Sequence, residues 1–215
     1  DLRSVTPGGA HRANRAVFRR LRGTLTGDPV GREGPRRVVV FSPHPDDDVI
    51  CMGGTLTKLA EQKHEVHVAY MVSGFLSVFD HDVARYANFV RAFNEIFGLH
   101  PEGSAVIEEK VDGFLAGKRP GDVDPPEIQR IKSLVRRTEA VDAAGFCGVR
   151  EDRCHFLNLP FYNTGKVQKL AIGPEDVAAV RALLDEVRPD VIFAAGDMSD
   201  PHGTHRLCME ALLAA

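Results

Sequence analysis

His44-Pro45-Asp46-Asp47-Asp48 places one imidazole and three carboxylates on five consecutive residues. The pentapeptide follows, after Pro43, the run Arg37-Val38-Val39-Val40-Phe41-Ser42, an apolar, β-branched stretch with the length of a buried strand. The polar side chains therefore leave a strand at its C-terminal end, where open parallel sheets bind ligands. Pro45 removes a backbone donor and stiffens the turn. An imidazole and a carboxylate two or three residues apart on such a turn can share a divalent metal, and a carboxylate beside them is then free to act as a base. An acidic turn with an Asp helix cap is the competing reading. The order of strand, His-Pro, Asp run and Gly53-Gly54 favours chemistry.

A second polar loop follows a second apolar run. Val191-Ile192-Phe193-Ala194-Ala195 leads into Gly196-Asp197-Met198-Ser199-Asp200-Pro201-His202-Gly203-Thr204-His205. If both strands are parallel, both loops lie on one sheet edge, and His202 and His205 can converge on His44 and Asp47. Two histidines separated by two residues at a helix start can bind one metal together or divide the labour. A solvent-exposed helix cap with two incidental histidines is the alternative when this loop is taken alone.

The elements that must position these loops alternate along the chain. Strands are expected at Val38–Ser42, Val66–Val72, His155–Leu159 and Val191–Ala195, the last of them buried. Helices are expected from about Thr55 to Gln62, over Asp82–Phe97, Pro126–Ala144 and Pro174–Val187, and from Gly203 to Leu213. Val83, Tyr86, Ala87, Val90, Phe93, Ile96 and Phe97 recur at helical spacing, and Gly98 closes that helix. The Gly/Pro-rich stretch Gly113–Asp124 is expected to be a loop and a candidate active-site lid. The β-α-β-α order predicts an α/β fold: a three-layer, Rossmann-like, mostly parallel sheet with helices on both faces.

The 215 residues are 43% hydrophobic, enough for one sizeable α/β core. A net charge of −3 gives no electrostatic case for nucleic acid or a membrane surface, and no run approaches the ~20 apolar residues of a membrane span. Arg12, Arg15, Arg19, Arg20, Arg22, Arg32 and Arg36, with Arg37 following, make residues 1–36 a basic arm, read as a solvated helix. Cys51, Cys147, Cys154 and Cys208 form no C-x-x-C pair, which fits reduced thiols and a cytoplasmic location. His64, His67 and His81 are expected to be surface, edge or helix-start residues, outside any metal site.

The His44–Asp48 segment resembles the H-P-D-D-(E/D) signature of the PIG-L/LmbE family of zinc-dependent N-acetylglucosaminide deacetylases. The second loop is similar to that family's H-P-D-H signature. The resemblance implies an LmbE-like deacetylase domain over residues 37–215, with its C-terminal end expected to be incomplete. It implies one Zn²⁺ held by His44, Asp47 and His205, Asp46 as general base and His202 as the oxyanion-stabilising group. Thr204 stands where the family has Asp, so the carboxylate that charges the catalytic His is missing from that position. Arg136-Arg137-Thr138-Glu139 looks like the family's R-x-x-E helix and makes Arg136 a candidate substrate contact. Phe156–Phe161 resembles a pocket-lining strand and loop, with Asn163 a second candidate contact. Ser73–Asp82 resembles a subgroup associated with glucosamine-6-phosphate deaminase-like proteins.

These readings imply metal-assisted hydrolysis of the acetamide of an N-acetylglucosamine-type sugar. The expected partner is a small-molecule amino sugar, with no nucleic acid or membrane, and a homo-oligomer is left open. A non-catalytic, metal-containing sugar or sugar-phosphate sensor is the alternative that Thr204 motivates. A metal phosphoesterase would call for a second metal, and few further acidic ligands lie near the two loops.

Overall fold

The computed structural model describes residues 9–26, 34–166, 168–201 and 203–215. Four strands, β1 (Arg37–Ser42), β2 (Glu65–Tyr70), β3 (Cys154–Phe156) and β4 (Val191–Ala194), form one sheet in the order β3-β2-β1-β4. All three pairings are parallel, with Val39 opposite His67 and Ile192, and Ala69 opposite His155. Among the described residues the helices are α1 (Gly9–Thr26), α2 (Asp47–Glu61), α3 (Asp80–Phe97), α4 (Pro101–Gly117), α5 (Pro126–Phe146), α6 (Pro174–Val187) and α7 (Thr204–Ala214). The fold is α/β, as the alternation implies.

β1 lies between β2 and β4, and helices cover both of its faces, so its apolar run is unbroken. Val38 and Val40 point to one layer, where Leu56 and Leu59 of α2 and Ala140 and Ala144 of α5 pack. Val39 and Phe41 point to the other, against Val180, Leu183 and Val187 of α6 and Leu207 and Cys208 of α7. Asp176, buried at the start of α6, fixes that layer to the sheet edge. Its Oδ1 accepts the N–H of Phe161 at 3.0 Å and its Oδ2 that of Gly173 at 2.8 Å.

Several elements depart from expectation. α2 begins at Asp47, eight residues before Thr55, and kinks at Met52 (φ −148°, ψ 25°) immediately before Gly53-Gly54. The glycines therefore mark a break within a helix. β3 stops at Phe156 because Asn158 adopts a left-handed φ of 49°, although the N–H groups of Leu157 and Leu159 still reach Tyr70 and Met71 carbonyls at 2.9 Å. β4 is an edge strand among the described residues, and Ile192 is 43% exposed, so it is not the buried strand that its apolar sequence suggests.

Residues 101–117 form α4, which the sequence pattern did not reveal, and Gly113–Gly117 belong to its last turn. Only the connection after Lys118 is a loop. It is held by an ion network: Lys118 Nζ lies 2.8 Å from Asp80 and 2.6 Å from Asp124, and Lys132 Nζ lies 2.7 Å from both carboxylates. This loop lines no part of the cleft described below, so no lid is found there.

Candidate active site

The loop between β1 and α2 is shaped by backbone bonds. The N–H of Asp46 donates to His44 O at 2.8 Å, and that of Asp48 to Ser42 Oγ at 3.0 Å. Because successive residues at a helix start step around its axis, the three carboxylates leave in different directions. Asp48 turns inward and is buried, within reach of Ser42 Oγ at 3.2 Å and Tyr70 OH at 3.1 Å. Burial raises the Asp48 pKa, and the hydrogen bonds from Tyr70 and Ser42 only partly oppose this. Asp48 is thus a structural anchor beneath the loop.

Asp47 turns toward His44 and His205. Its Oδ2 accepts the His44 N–H at 2.8 Å and lies 3.3 Å from His44 Nδ1 and 3.2 Å from His205 Nε2. The two ring nitrogens are themselves 3.3 Å apart. Three potential ligand atoms therefore form a nearly equilateral triangle. Ligands about 2.0–2.1 Å from a tetrahedral ion are separated by about 3.3 Å, so the triangle is the size of one face of such a site. Burial raises the Asp47 pKa, but the hydrogen bonds from His44 and the charges of His205 and His44 outweigh it and leave the carboxylate below its ordinary range. His205 is placed by the start of α7, where its N–H donates to Asp200 Oδ2 at 2.9 Å. The His44 ring meets the edge of Tyr162, with centroids 6.2 Å apart.

Asp46 points elsewhere. It occupies the N-cap position of α2 without a side-chain cap bond, and its carboxylate lies 2.7 Å from Arg136 NH2 of α5. A cleft of ≈ 470 Å³ brings Asp46 together with the triangle and is further lined by Leu76, Ser77, Tyr162, Lys169, Asp200 and Thr204. A second cavity of ≈ 430 Å³ meets Asp47 and His205 from the β4 side, past Cys51 and Met52. Gly74 closes the rim. Its φ is 67°, and a Cβ there would come within 2.8 Å of Pro45 Cδ, so only glycine lets the β2 loop approach the His44–Asp48 turn this closely.

The structure thus brings His44, Asp47 and His205 together, sets Asp46 beside them and links Arg136 to Asp46. Asn163 is exposed, its Nδ2 donates to Asn158 O at 3.3 Å, and it lines none of the cleft. His202 lies outside the described residues. Thr204, in the position where a carboxylate was sought, is buried. Two aspartates of the same loop are engaged locally: Asp197 accepts from the N–H and hydroxyl of Ser199, and Asp200 Oδ2 accepts the His205 N–H.

Two cleft residues escaped the sequence reading. Tyr162 adjoins Asn163, but a lone Tyr after Pro160-Phe161 reads as core. Lys169 sits in a loop without a motif, yet its ammonium lies 4.1 Å from the Tyr162 ring centroid. Burial lowers the Lys169 pKa, opposed by the charge of Asp200. His64, His67 and His81 lie outside the triangle: His64 accepts the Arg36 N–H, whereas His67, expected at the surface or an edge, lies within the inner strand β2 with its side chain only 12% exposed and meets His155 at 2.9 Å. All four cysteines are free. Among the described residues no helix is long and apolar enough to cross a membrane.

Comparison with known proteins places this geometry in context. The chain is 49% identical over 224 residues to a glucosamine-6-phosphate deaminase-like protein of Bacteroides thetaiotaomicron, an alignment covering 97% of this chain. It spans about a third (34%) of the length of that relative. An N,N'-diacetylchitobiose deacetylase from Pyrococcus horikoshii aligns with 94% of this chain and 57% of its own at 20% identity, with a TM-score of 0.48. Residues 39–215 match the model of PIG-L, described as GlcNAc-PI de-N-acetylase; the match covers most of the chain and includes both polar loops, so the chain belongs to the PIG-L family.

Proposed function

We propose that this protein is a zinc-dependent N-deacetylase that releases acetate from an N-acetylglucosamine-type sugar or glycoconjugate. The observation that carries the reading is the triangle of His44 Nδ1, Asp47 Oδ2 and His205 Nε2, each 3.2–3.3 Å from the next, with the Asp46 carboxylate in the same cleft but off the triangle. Two imidazoles and one carboxylate are a donor set suited to catalytic zinc, and three protein ligands leave a position open. A zinc ion there supplies Lewis-acid chemistry, acidifying water and polarising an acyl oxygen.

The chain's own residues divide the remaining work. Asp46 takes the proton from the attacking water, and Arg136 fixes its carboxylate through the 2.7 Å ion pair. His202 is assigned the oxyanion contact and the proton for the departing amine. Tyr162 packs on the His44 ring and limits its rotation. Membership in a family described as GlcNAc-PI de-N-acetylase supports an acetamido sugar as the class of substrate. A cytoplasmic location belongs to the same proposal, supported by the four free thiols.

Acetate release from a panel of N-acetylhexosamines, their phosphates and glycoconjugates tests the reading, with and without chelator. The buried Thr204 favours one second reading, a sugar sensor that keeps the metal fold. Stoichiometric zinc with no acetate from any member of the panel would select it.

A further inference from the structure

Pro45, between His44 and Asp46 in the chain, also lines a third cavity on the ligand-binding edge of the sheet. Its walls are Ser73 beyond β2, Phe156 and Asn158 at the end of β3, and Arg130 and Arg137 of α5. The two arginines are seven residues apart, two helical turns, and so share one face of α5. No carboxylate lines the cavity, and neither arginine forms an ion pair among the described residues. Arg137 is exposed, and its guanidinium lies over the Phe156 ring, 4.4 Å from the centroid. Ser73 is only 8% exposed, and its Oγ is buried with no hydrogen-bond partner among the described residues. A buried hydroxyl left unpaired is costly, so a partner supplied from outside would stabilise this one.

The volume, ≈ 220 Å³, is below the ~300–1,000 Å³ of pockets that enclose a whole small molecule, so the cavity suits one group of a larger ligand. A terminal phosphate, with three oxygens and a double charge, can accept from two guanidiniums and a hydroxyl at once and matches their charge better than a singly charged carboxylate. We propose that this cavity is an anion subsite for the phosphate of a phosphorylated amino sugar, with Arg130, Arg137 and Ser73 as its contacts. The identity of the sugar rests on the deacetylase reading; the phosphate contact does not.

The test is calorimetric titration of inorganic phosphate, N-acetylglucosamine 6-phosphate and N-acetylglucosamine into zinc-loaded protein. The parent, an Arg130→Gln/Arg137→Gln double variant and Ser73→Ala are compared. The double variant is expected to bind both phosphates at least roughly tenfold more weakly, with its affinity for N-acetylglucosamine and its melting temperature unchanged. Ser73→Ala is expected to weaken phosphate binding roughly threefold. Phosphate affinity that survives the double substitution overturns the proposal, as does phosphate binding that disappears when zinc is chelated. Phosphate binding at the arginines without acetate release keeps the subsite and sinks the deacetylase reading; acetate release without arginine-dependent phosphate binding does the reverse.

Discussion

Arg136 NH2 lies 2.7 Å from the carboxylate of Asp46, tying the middle of α5 to the N-cap of α2. The Asp46 side chain thus pairs with Arg136 and makes no cap hydrogen bond, an arrangement that supports its proposed role as the base. The side chain of Arg136 is itself mostly buried, and its Nε has no hydrogen-bond partner among the described residues. Arg136, expected as a substrate contact, is not among the residues lining the cleft, and the role proposed for it is to position the Asp46 carboxylate. Arg136→Met is expected to lower kcat by about 10–100-fold, with zinc content unchanged. Arg136→Lys should recover only part of the loss, since an ammonium cannot reproduce a planar fork. Loss of zinc in Arg136→Met, measured by elemental analysis, would contradict this assignment.

The neighbouring aspartates should separate cleanly. Asp46→Asn is expected to retain zinc and lose turnover by a factor on the order of 10²–10⁴. Asp47→Asn removes a ligand oxygen and should lose the metal. Equal zinc loss in both variants would show that the two carboxylates are not divided as described.

Much of this site was legible because its chemistry is local. His44 through Asp47 sit on one turn after an unmistakable strand, and parallel topology obliges the loop after β4 to meet it. What was not legible depends on contacts between distant segments. The Asp46–Arg136 pair needs the approach of α2 and α5, and Tyr162 and Lys169 reach the cleft through a loop that has no periodicity. The role of Asp48 follows from burial alone. α4 was hidden by Gly113 and Gly117, residues that ordinarily punctuate loops, although Pro101 stands at its first turn. The apolar pattern on α3 gave the helix correctly but overstated its burial. Val83 and Ala87 are enclosed with Val111 and Ile128, whereas Phe93, Ile96 and Phe97 remain exposed.

The ion network around Lys132 should carry stability with a definite pH dependence. Asp124→Asn leaves the buried Lys132 ammonium with one carboxylate in place of two. A loss of about 2–3 kcal/mol is expected, a melting temperature lower by roughly 4–12 °C. Burial raises the Asp80 pKa, but the hydrogen bonds and charges of Lys118 and Lys132 outweigh it, so the folded value lies below the unfolded one. Its contribution is therefore full above the unfolded value near 3.9 and is lost as pH falls through the folded value. Urea unfolding should show Asp80→Asn less stable than the parent at pH 7 and the gap closing in strong acid. A gap that widens in acid would reverse the sign.

Thiol titration of denatured protein should count four free cysteines. In the native protein Cys51 is the exposed one, and burial together with Asp47, Asp46 and Asp48 raises its pKa. Its alkylation at neutral pH should accordingly be slower than that of a free thiol. Cys154 is pushed up to about 11, mainly by burial, and should react more slowly still. A stable disulfide would contradict the reduced state on which the cytoplasmic proposal rests.

The most direct measurement is acetate released by zinc-loaded protein from N-acetylglucosamine-containing compounds, with His205→Ala beside the parent. The account predicts acetate from at least one such compound, abolished by chelator, restored by Zn²⁺ and absent in His205→Ala. No acetate from fully zinc-loaded parent across the panel, or release that His205→Ala and chelator leave untouched, would contradict it.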